Sequence, residues 1–253
     1  MKPIRIRPIP APVFQRYTQQ EMSGPLPARL YKVLSAKYAR RLMEHGEMMW
    51  STLTWFQDME DIDRGDYSEG THRYFPVKGL AMNRIERNGL PDNATFVLPE
   101  HGLVSKAARS NHIFIYSLTH DSTLVIGCAS ERECVEIFDT EHFVSRVRKA
   151  IARHRSVRAE TFIHDTVTYW SPANPPEEVW ALPDRLTMHK RDQYESQREY
   201  RLAFGTRANV FDSENVECFI VDKNTHWPRL TLDPQVHRLK LRLGSLRDCC
   251  RLL

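Results

Sequence analysis

The stretch Tyr194-Glu195-Ser196-Gln197-Arg198-Glu199-Tyr200-Arg201-Leu202-Ala203-Phe204 changes character halfway along. Its first half is polar and charged. In its second half Tyr200, Leu202 and Phe204 alternate with Arg201 and Ala203. Alternation of period two predicts a half-buried strand. On a strand, Gln197 and Glu199 stand two residues apart and project to one face. The pattern admits two uses. One is a solvated edge strand whose charges pair with Arg198 or Arg201. The other is a carboxylate with an amide partner at the lip of a cleft.

The chain has 253 residues, enough for one large domain with a real core or for two small ones. Lys and Arg number 36 against 32 Asp and Glu, a formal charge of +4, which permits nucleic-acid contact without demanding it. The 5 Cys form no C-x-x-C pair; Cys128, Cys134 and Cys218 stand apart and Cys249-Cys250 are adjacent. That pattern fits a reduced, intracellular protein and gives no structural zinc site. Pro3, Pro8, Pro10 and Pro12 break the N-terminal segment, so it cannot form the apolar helix of a signal peptide. No apolar run approaches the roughly 20 residues of a membrane span. A cytoplasmic location is the expectation.

Residues 1–28 are Pro-rich and predict an extended arm with little structure of its own; residues 29–253 predict a single α+β domain. Leu30 to Leu34 predicts a strand, Ser35 an N-cap, Ala36 to His45 an amphipathic helix, and Gly46 its stop. Glu47 to Phe56 predicts a second strand interrupted by the hydroxyls Ser51, Thr52 and Thr54. Asp58 to Glu69 is acidic and predicts a solvated loop; its Gly65 is misplaced for an EF-hand calcium loop. Residues 71–110 show only Gly and Pro punctuation and predict irregular chain. Strands follow at 111–118, 135–138, 161–170, 218–221 and 236–243. A helix capped by Thr140 runs to Arg153, with Arg146, Arg148, Lys149, Arg153 and Arg155 on its outer face. Val236 to Leu243 alternates apolar residues with Arg238, Lys240 and Arg242, giving one buried face and one positive face.

Three pieces carry a resemblance: the strand Leu30-Tyr31-Lys32, the strand Trp50-Ser51-Thr52-Leu53-Thr54, and Gln197-x-Glu199 far downstream. The layout resembles the ADP-ribosyltransferase fold, a split β-sandwich with few flanking helices. Over roughly residues 29–205 the chain also resembles a bacterial and phage family linked to abortive infection, through Met49-Trp50-Ser51, Asp58 to Glu60, and Tyr194 with Gln197-Arg198-Glu199-Tyr200-Arg201-Leu202. Lys32 stands where many such transferases carry Arg or His, and a Lys cannot make the planar two-pronged contact of Arg.

The resemblance implies a toxin or anti-phage effector that cleaves NAD, as substrate and without a metal, and transfers ADP-ribose to an acceptor. Glu199 would stabilise the oxocarbenium-like ribose and Gln197 would orient the acceptor. Tyr31, Lys32, Ser51, Thr52, Thr54, Trp55 and Phe56 would line the NAD site. Tyr31, Trp55 and Phe56 serve equally as core. Basic faces point to a nucleic-acid acceptor, RNA before DNA, with Tyr116, Tyr169 or Trp170 as stacking platforms. A protein acceptor is the alternative. A toxin also implies an inhibitory partner, an antitoxin or immunity protein. Two other readings compete. One is an NAD-using enzyme that removes a phosphate from RNA, and the other a non-catalytic binding protein. No G-x-S-x-G elbow, P-loop or Rossmann glycine signature is present.

Overall fold

The computed structural model describes residues 4–6, 23–58, 69–76, 78–85, 91–107, 110–125, 132–171, 182–212, 215–222 and 238–253. In chain order the elements are β1 (Ile4–Ile6), β2 (Leu30–Ser35), α1 (Ala36–His45), β3 (Glu47–Thr52), α2 (Leu53–Asp58), β4 (Thr71–Tyr74), β5 (Leu80–Ile85), β6 (Pro91–Leu98) and β7 (His101–Ala107). They continue with β8 (Ile113–Thr119), β9 (Arg132–Ile137), α3 (Thr140–Arg153), β10 (Arg158–Thr166), β11 (Thr168–Trp170), α4 (Pro183–Thr187), β12 (His189–Arg191), β13 (Glu199–Gly205), β14 (Val216–Asp222), β15 (Arg238–Arg242) and β16 (Cys250–Leu252).

The larger sheet has the order β10-β13-β8-β2-β9-β16, and β3 joins it by pairing with both β8 and β15. A smaller sheet has the order β1-β14-β7-β4. The ladders in both are antiparallel, while the separate β11–β12 pair is parallel. The architecture is therefore the mixed α+β class, rich in antiparallel strands and poor in helix.

Alternation along β13 and β8 divides the larger sheet into two faces. On one, Tyr200, Leu202 and Phe204 lie opposite Leu118, Tyr116 and Phe114. They share a core with Trp50, with Ala39, Leu42 and Met43 of α1, and with Phe143, Val144, Val147 and Ile151 of α3. Trp50 stacks at tilted angles on Phe204 and Tyr116, at 4.6 and 5.4 Å between ring centroids. On the other face, Ala203 lies opposite Ile115 and Ile163. These meet Ala107 of β7 and Val216 of β14, so the smaller sheet covers this side. The charged residues of β13 also point to this second face.

Several expectations change. The strand around Glu199 is central, flanked by β10 and β8, so the edge-strand alternative falls. It begins at Glu199. Gln197 ends a 3-10 turn, Asp192–Gln197, and Arg198 takes a left-handed backbone at φ 41°. The two residues are thus not on one strand. The segment 47–56 breaks at Thr52, whose Oγ1 accepts from the Trp55 N–H at 3.2 Å and opens α2. A hydroxyl in a strand-like run carried the capping signal. Asp139, not Thr140, caps α3, accepting from the His142 N–H at 2.9 Å. Among the described residues of 71–110 there are four strands, with Gly79 and Pro99 at their turns. The expected strand 161–170 divides at Val167, and the C-terminal strand β16 went unforeseen.

Of the expected arm 1–28, residues 4–6 and 23–28 are described and 1–3 and 7–22 lie outside the described residues. Ile4–Ile6 pairs with β14. Residues 23–24 lie at the edge of β10, where the Gly24 N–H donates to the His164 carbonyl at 2.9 Å, and Pro27 reaches α3, whose Thr140 hydroxyl donates to the Pro27 carbonyl at 2.8 Å. A Cβ on Gly24 would stand 1.9 Å from Asp165 Oδ1, which explains the glycine. Gly46 closes α1 at φ 59°, as expected of a C-terminal glycine.

Candidate active site

The register of β13 against β8 places Glu199 opposite Thr119, and Arg201 opposite Ser117, on the face that meets the smaller sheet. Glu199 and Arg201 are i and i+2, so they stand side by side. Arg201 Nε donates to Glu199 Oε1 at 2.6 Å and its Nη2 to Oε2 at 3.2 Å. The Ser117 hydroxyl also donates to Oε1. Lys190, from β12, donates to Oε2 at 3.2 Å. On its far side Arg201 donates to the Thr187 carbonyl at 2.6 Å and to Glu69. Glu69, Ser117, Lys190, Glu199 and Arg201 thus converge from three strands and the turn before β4 on one spot between the sheets.

This spot is dry. Glu199 is 3 % exposed, Arg201 0 % and Glu69 1 %. Burial opposes ionisation of Glu199, but the charges of Arg201 and Lys190 outweigh it and hold the carboxyl well below the ordinary range. For Arg201 burial is likewise outweighed, here by Glu199 and Glu69, so it stays cationic. The result is a fixed, ionised carboxylate on a rigid central strand.

Gln197 meets this group by a different route from the one its spacing implied. Lys190 Nζ donates to Gln197 Oε1 at 2.8 Å while holding Glu199, and sits 4.7 Å from the centre of the Tyr194 ring. The Glu199 N–H donates to the Tyr169 hydroxyl at 2.9 Å. Burial pushes the Tyr169 phenol up to about 12, so it keeps its proton.

The other expected site residues divide. Tyr31 lies opposite Thr119 on β2, which puts it in the cross-strand row of Glu199, two strand spacings or about 10 Å away. Ser51 lies opposite Ile115 on the same face, two positions along β8 from Ser117. Lys32 alternates to the helix-covered face, sits 4.6 Å from the centre of the Tyr116 ring, and donates to the Ser117 carbonyl. Thr52 is buried as the cap of α2, and Thr54 donates to the Ser110 hydroxyl at 3.2 Å. Trp55 is half-buried with the Arg238 guanidinium 4.1 Å above its ring, and Phe56 packs on the inter-sheet core. Tyr116 and Trp170, considered for base stacking, are buried at 5 % and 2 % exposure.

Lys190, Ser117 and Glu69 were not among the site residues expected from the sequence, and Arg201 entered as a surface partner and as part of the late motif, without a role in the site. The signal for Arg201 was there: a cation two residues beyond a carboxylate on an alternating strand must share its face. Glu69 closes the expected solvated acidic loop, yet it is buried; residues 59–68 between it and α2 lie outside the described residues.

Beside Arg201 sits a second polar group. The His72 ring meets Trp170 edge-on at 4.9 Å. Burial lowers His72 to about 4, and burial with the charges of Arg185 and Arg201 lowers His189 to about 3, so both imidazoles are neutral. His72 Nε2, His189 Nδ1 and Trp170 Nε1 have no hydrogen-bond partner among the described residues. No group of three or more His, Cys, Asp or Glu among the described residues is arranged to hold a metal ion. No described helix is long and apolar enough to cross a membrane. Comparison of the chain with protein-family models, with curated proteins and with solved structures returned no match.

Proposed function

We propose that this chain is an NAD-dependent ADP-ribosyltransferase, a toxin or anti-phage effector whose acceptor is nucleic acid, RNA first. The single observation that supports this reading is Glu199: an ionised carboxylate fixed on the face of the sheet that also presents Ser117, Tyr31 and Ser51. In such a reaction the bond between the ribose C1 and the nicotinamide nitrogen breaks. Its electron pair leaves with nicotinamide, and the ribose becomes cationic. A nearby carboxylate lowers that barrier because it is already ionised and already oriented. A lone pair of the acceptor then forms the new bond to C1, and the acceptor loses its proton.

Lys190 is the contact that gives way. Its hold on Glu199 at 3.2 Å is longer than its hold on Gln197 at 2.8 Å. A ribose hydroxyl taking its place at Oε2 would leave Lys190 on Gln197, beside the acceptor. Such an enzyme needs restraint in its own cell, so an inhibitory partner belongs to this reading.

The test is incubation with NAD labelled in the adenylate, followed by separation of RNA, DNA and protein. Label in the RNA fraction, absent with Glu199→Gln, is the expected result. Label in protein alone moves the acceptor to a side chain. NAD left intact with every acceptor favours the second reading, a non-catalytic binding protein. The observation on that side is that both oxygens of Glu199 already have partners.

A further inference from the structure

The strand β15 lies on the rim of the larger sheet and pairs only with β3 among the described residues. Leu239 and Leu241 turn toward the core, while Arg238, Lys240 and Arg242 turn out. Successive cations on one side of a strand are about 7 Å apart, a step close to that between phosphates of an extended nucleic-acid strand. Against this rim packs the C-terminal end of α3. Ala150, Arg153 and His154 line a groove of about 310 Å³ together with Lys240, Leu241 and Arg242.

Among the described residues the charge of this rim is not cancelled. Among the same residues Glu47 is the carboxylate that pairs with it, and it is shared by Arg41 at 2.9 Å, Lys240 at 3.2 Å and Arg242 at 3.7 Å. Three cations on one anion leave an excess of two. Arg242 remains 70 % exposed at its side chain, and Arg153 is exposed at the helix end. At the other end of the strip Arg238 lies over the half-buried Trp55, and in its middle Met49, 43 % exposed, stands opposite Lys240. An aromatic and a thioether beside a line of cations are what a base and its phosphate need together.

We propose that this rim, Arg153 with Arg238, Lys240 and Arg242, is the docking surface for the phosphodiester backbone of a single-stranded nucleic acid. The proposal rests on the nucleic-acid acceptor named above, but not on NAD cleavage. Arg238, Lys240 and Arg242 share the sheet face of Glu199: Arg238 lies opposite Ser51, Ser51 opposite Ile115, and Ile115 opposite Ala203 of the Glu199 strand. α3, with Arg153, packs on the opposite face, so a strand held by all four cations follows the edge of the sheet and does not enter the buried Glu199 cluster. The plain alternative is that basic side chains only keep an exposed sheet edge from pairing with another chain.

Fluorescence anisotropy with labelled single-stranded RNA and DNA of one sequence, without NAD, separates these. The variant carries Arg153→Gln, Arg238→Gln, Lys240→Gln and Arg242→Gln. The charge-matched control carries Lys37→Gln, Arg40→Gln, Arg132→Gln and Arg207→Gln, all exposed and away from the rim. We expect the rim variant to bind at least tenfold more weakly and the control to bind as wild type. We also expect the salt slope of the rim variant to be shallower by about 3, since each single-strand phosphate contact contributes about 0.7. A stronger effect on RNA than on DNA identifies the source of the backbone. Wild type that binds neither strand, or a control that loses as much as the rim variant, overturns the proposal. Nicotinamide release from NAD in the absence of acceptor, measured on the same proteins, shows whether the Glu199 chemistry stands or falls separately.

Discussion

The cluster around Glu199 and the rim at β15 are built from the same three residue types, Arg, Lys and Glu, and do opposite things with them. In the cluster, Arg201 lies between two carboxylates at 0 % exposure, and every charge has a partner of the other sign. At the rim, three cations share Glu47 and the excess faces water. Desolvation is the difference. A buried charge that loses its partner is stranded in a medium that cannot replace it, whereas an exposed one is rehydrated. Charge in the cluster therefore fixes geometry, and charge at the rim remains available to a ligand.

The largest test of that contrast is Arg201→Met. It strands Glu69 and leaves Glu199 to Lys190 and Ser117 alone, and we expect a loss of about 3–5 kcal/mol, the range for breaking a buried pair, read from urea unfolding. A loss below 1 kcal/mol would mean that the two carboxylates find water, and the cluster is not dry.

Acid comes next. His72, His164 and His189 are held neutral, His72 and His164 at about 4 and His189 at about 3, against 6.5 for an ordinary imidazole. Burial is the main cause in each. His164 Nδ1 lies 2.7 Å from the Tyr200 hydroxyl, whose pKa burial raises, so the phenol donates and the imidazole accepts. Between pH 6.5 and 4 the unfolded chain binds protons that the folded one does not. Stability is whole above pH 6.5 and falls as pH drops, by about 3 kcal/mol for His72 alone at the 1.36 kcal/mol per unit of linkage. Urea midpoints at pH 7.5, 6, 5 and 4 measure it; a flat profile to pH 5 would place water at these rings. Below 4.5 the lowered Glu199 adds to the loss.

Lys190→Met sharpens the comparison within the cluster. Glu199 keeps Arg201 and Ser117, so we expect a smaller loss, about 1–3 kcal/mol, the cost of one missing charged hydrogen bond. The smallest effect belongs to the rim. Arg238→Gln, Lys240→Gln and Arg242→Gln should each stay within about 0.5 kcal/mol of wild type. A larger loss at Lys240 would show that Glu47 depends on it for more than surface neutralisation.

The sequence was most legible where a side chain's period decided its fate. Tyr200, Leu202 and Phe204 were read as one buried face, and they are; α1, with Gly46 as its stop, and the alternation of Leu239, Leu241 with their basic neighbours also stand. It was least legible where contacts are long-range. Nothing near Glu69 announces Arg201, which lies far along the chain and reaches it through the packing of two sheets. Local chemistry misled twice. Thr52 looked like one more strand hydroxyl but caps a helix, and Gln197-x-Glu199 looked like a strand pair although Arg198 breaks the backbone between them. Lys190 restores the pair through space, which spacing cannot show.

Nicotinamide release from NAD by folded wild type, Glu199→Gln and Glu69→Gln is the most direct measurement, because both variants remove one carboxylate from Arg201 and only one removes the group assigned to the ribose. We expect release by wild type and by Glu69→Gln, each confirmed folded by circular dichroism, and loss of at least a hundredfold, on the scale of lost electrostatic catalysis, with Glu199→Gln alone. No release by wild type, or equal losses in the two variants, would contradict a catalytic Glu199 and leave it as one of two structural counter-ions to Arg201.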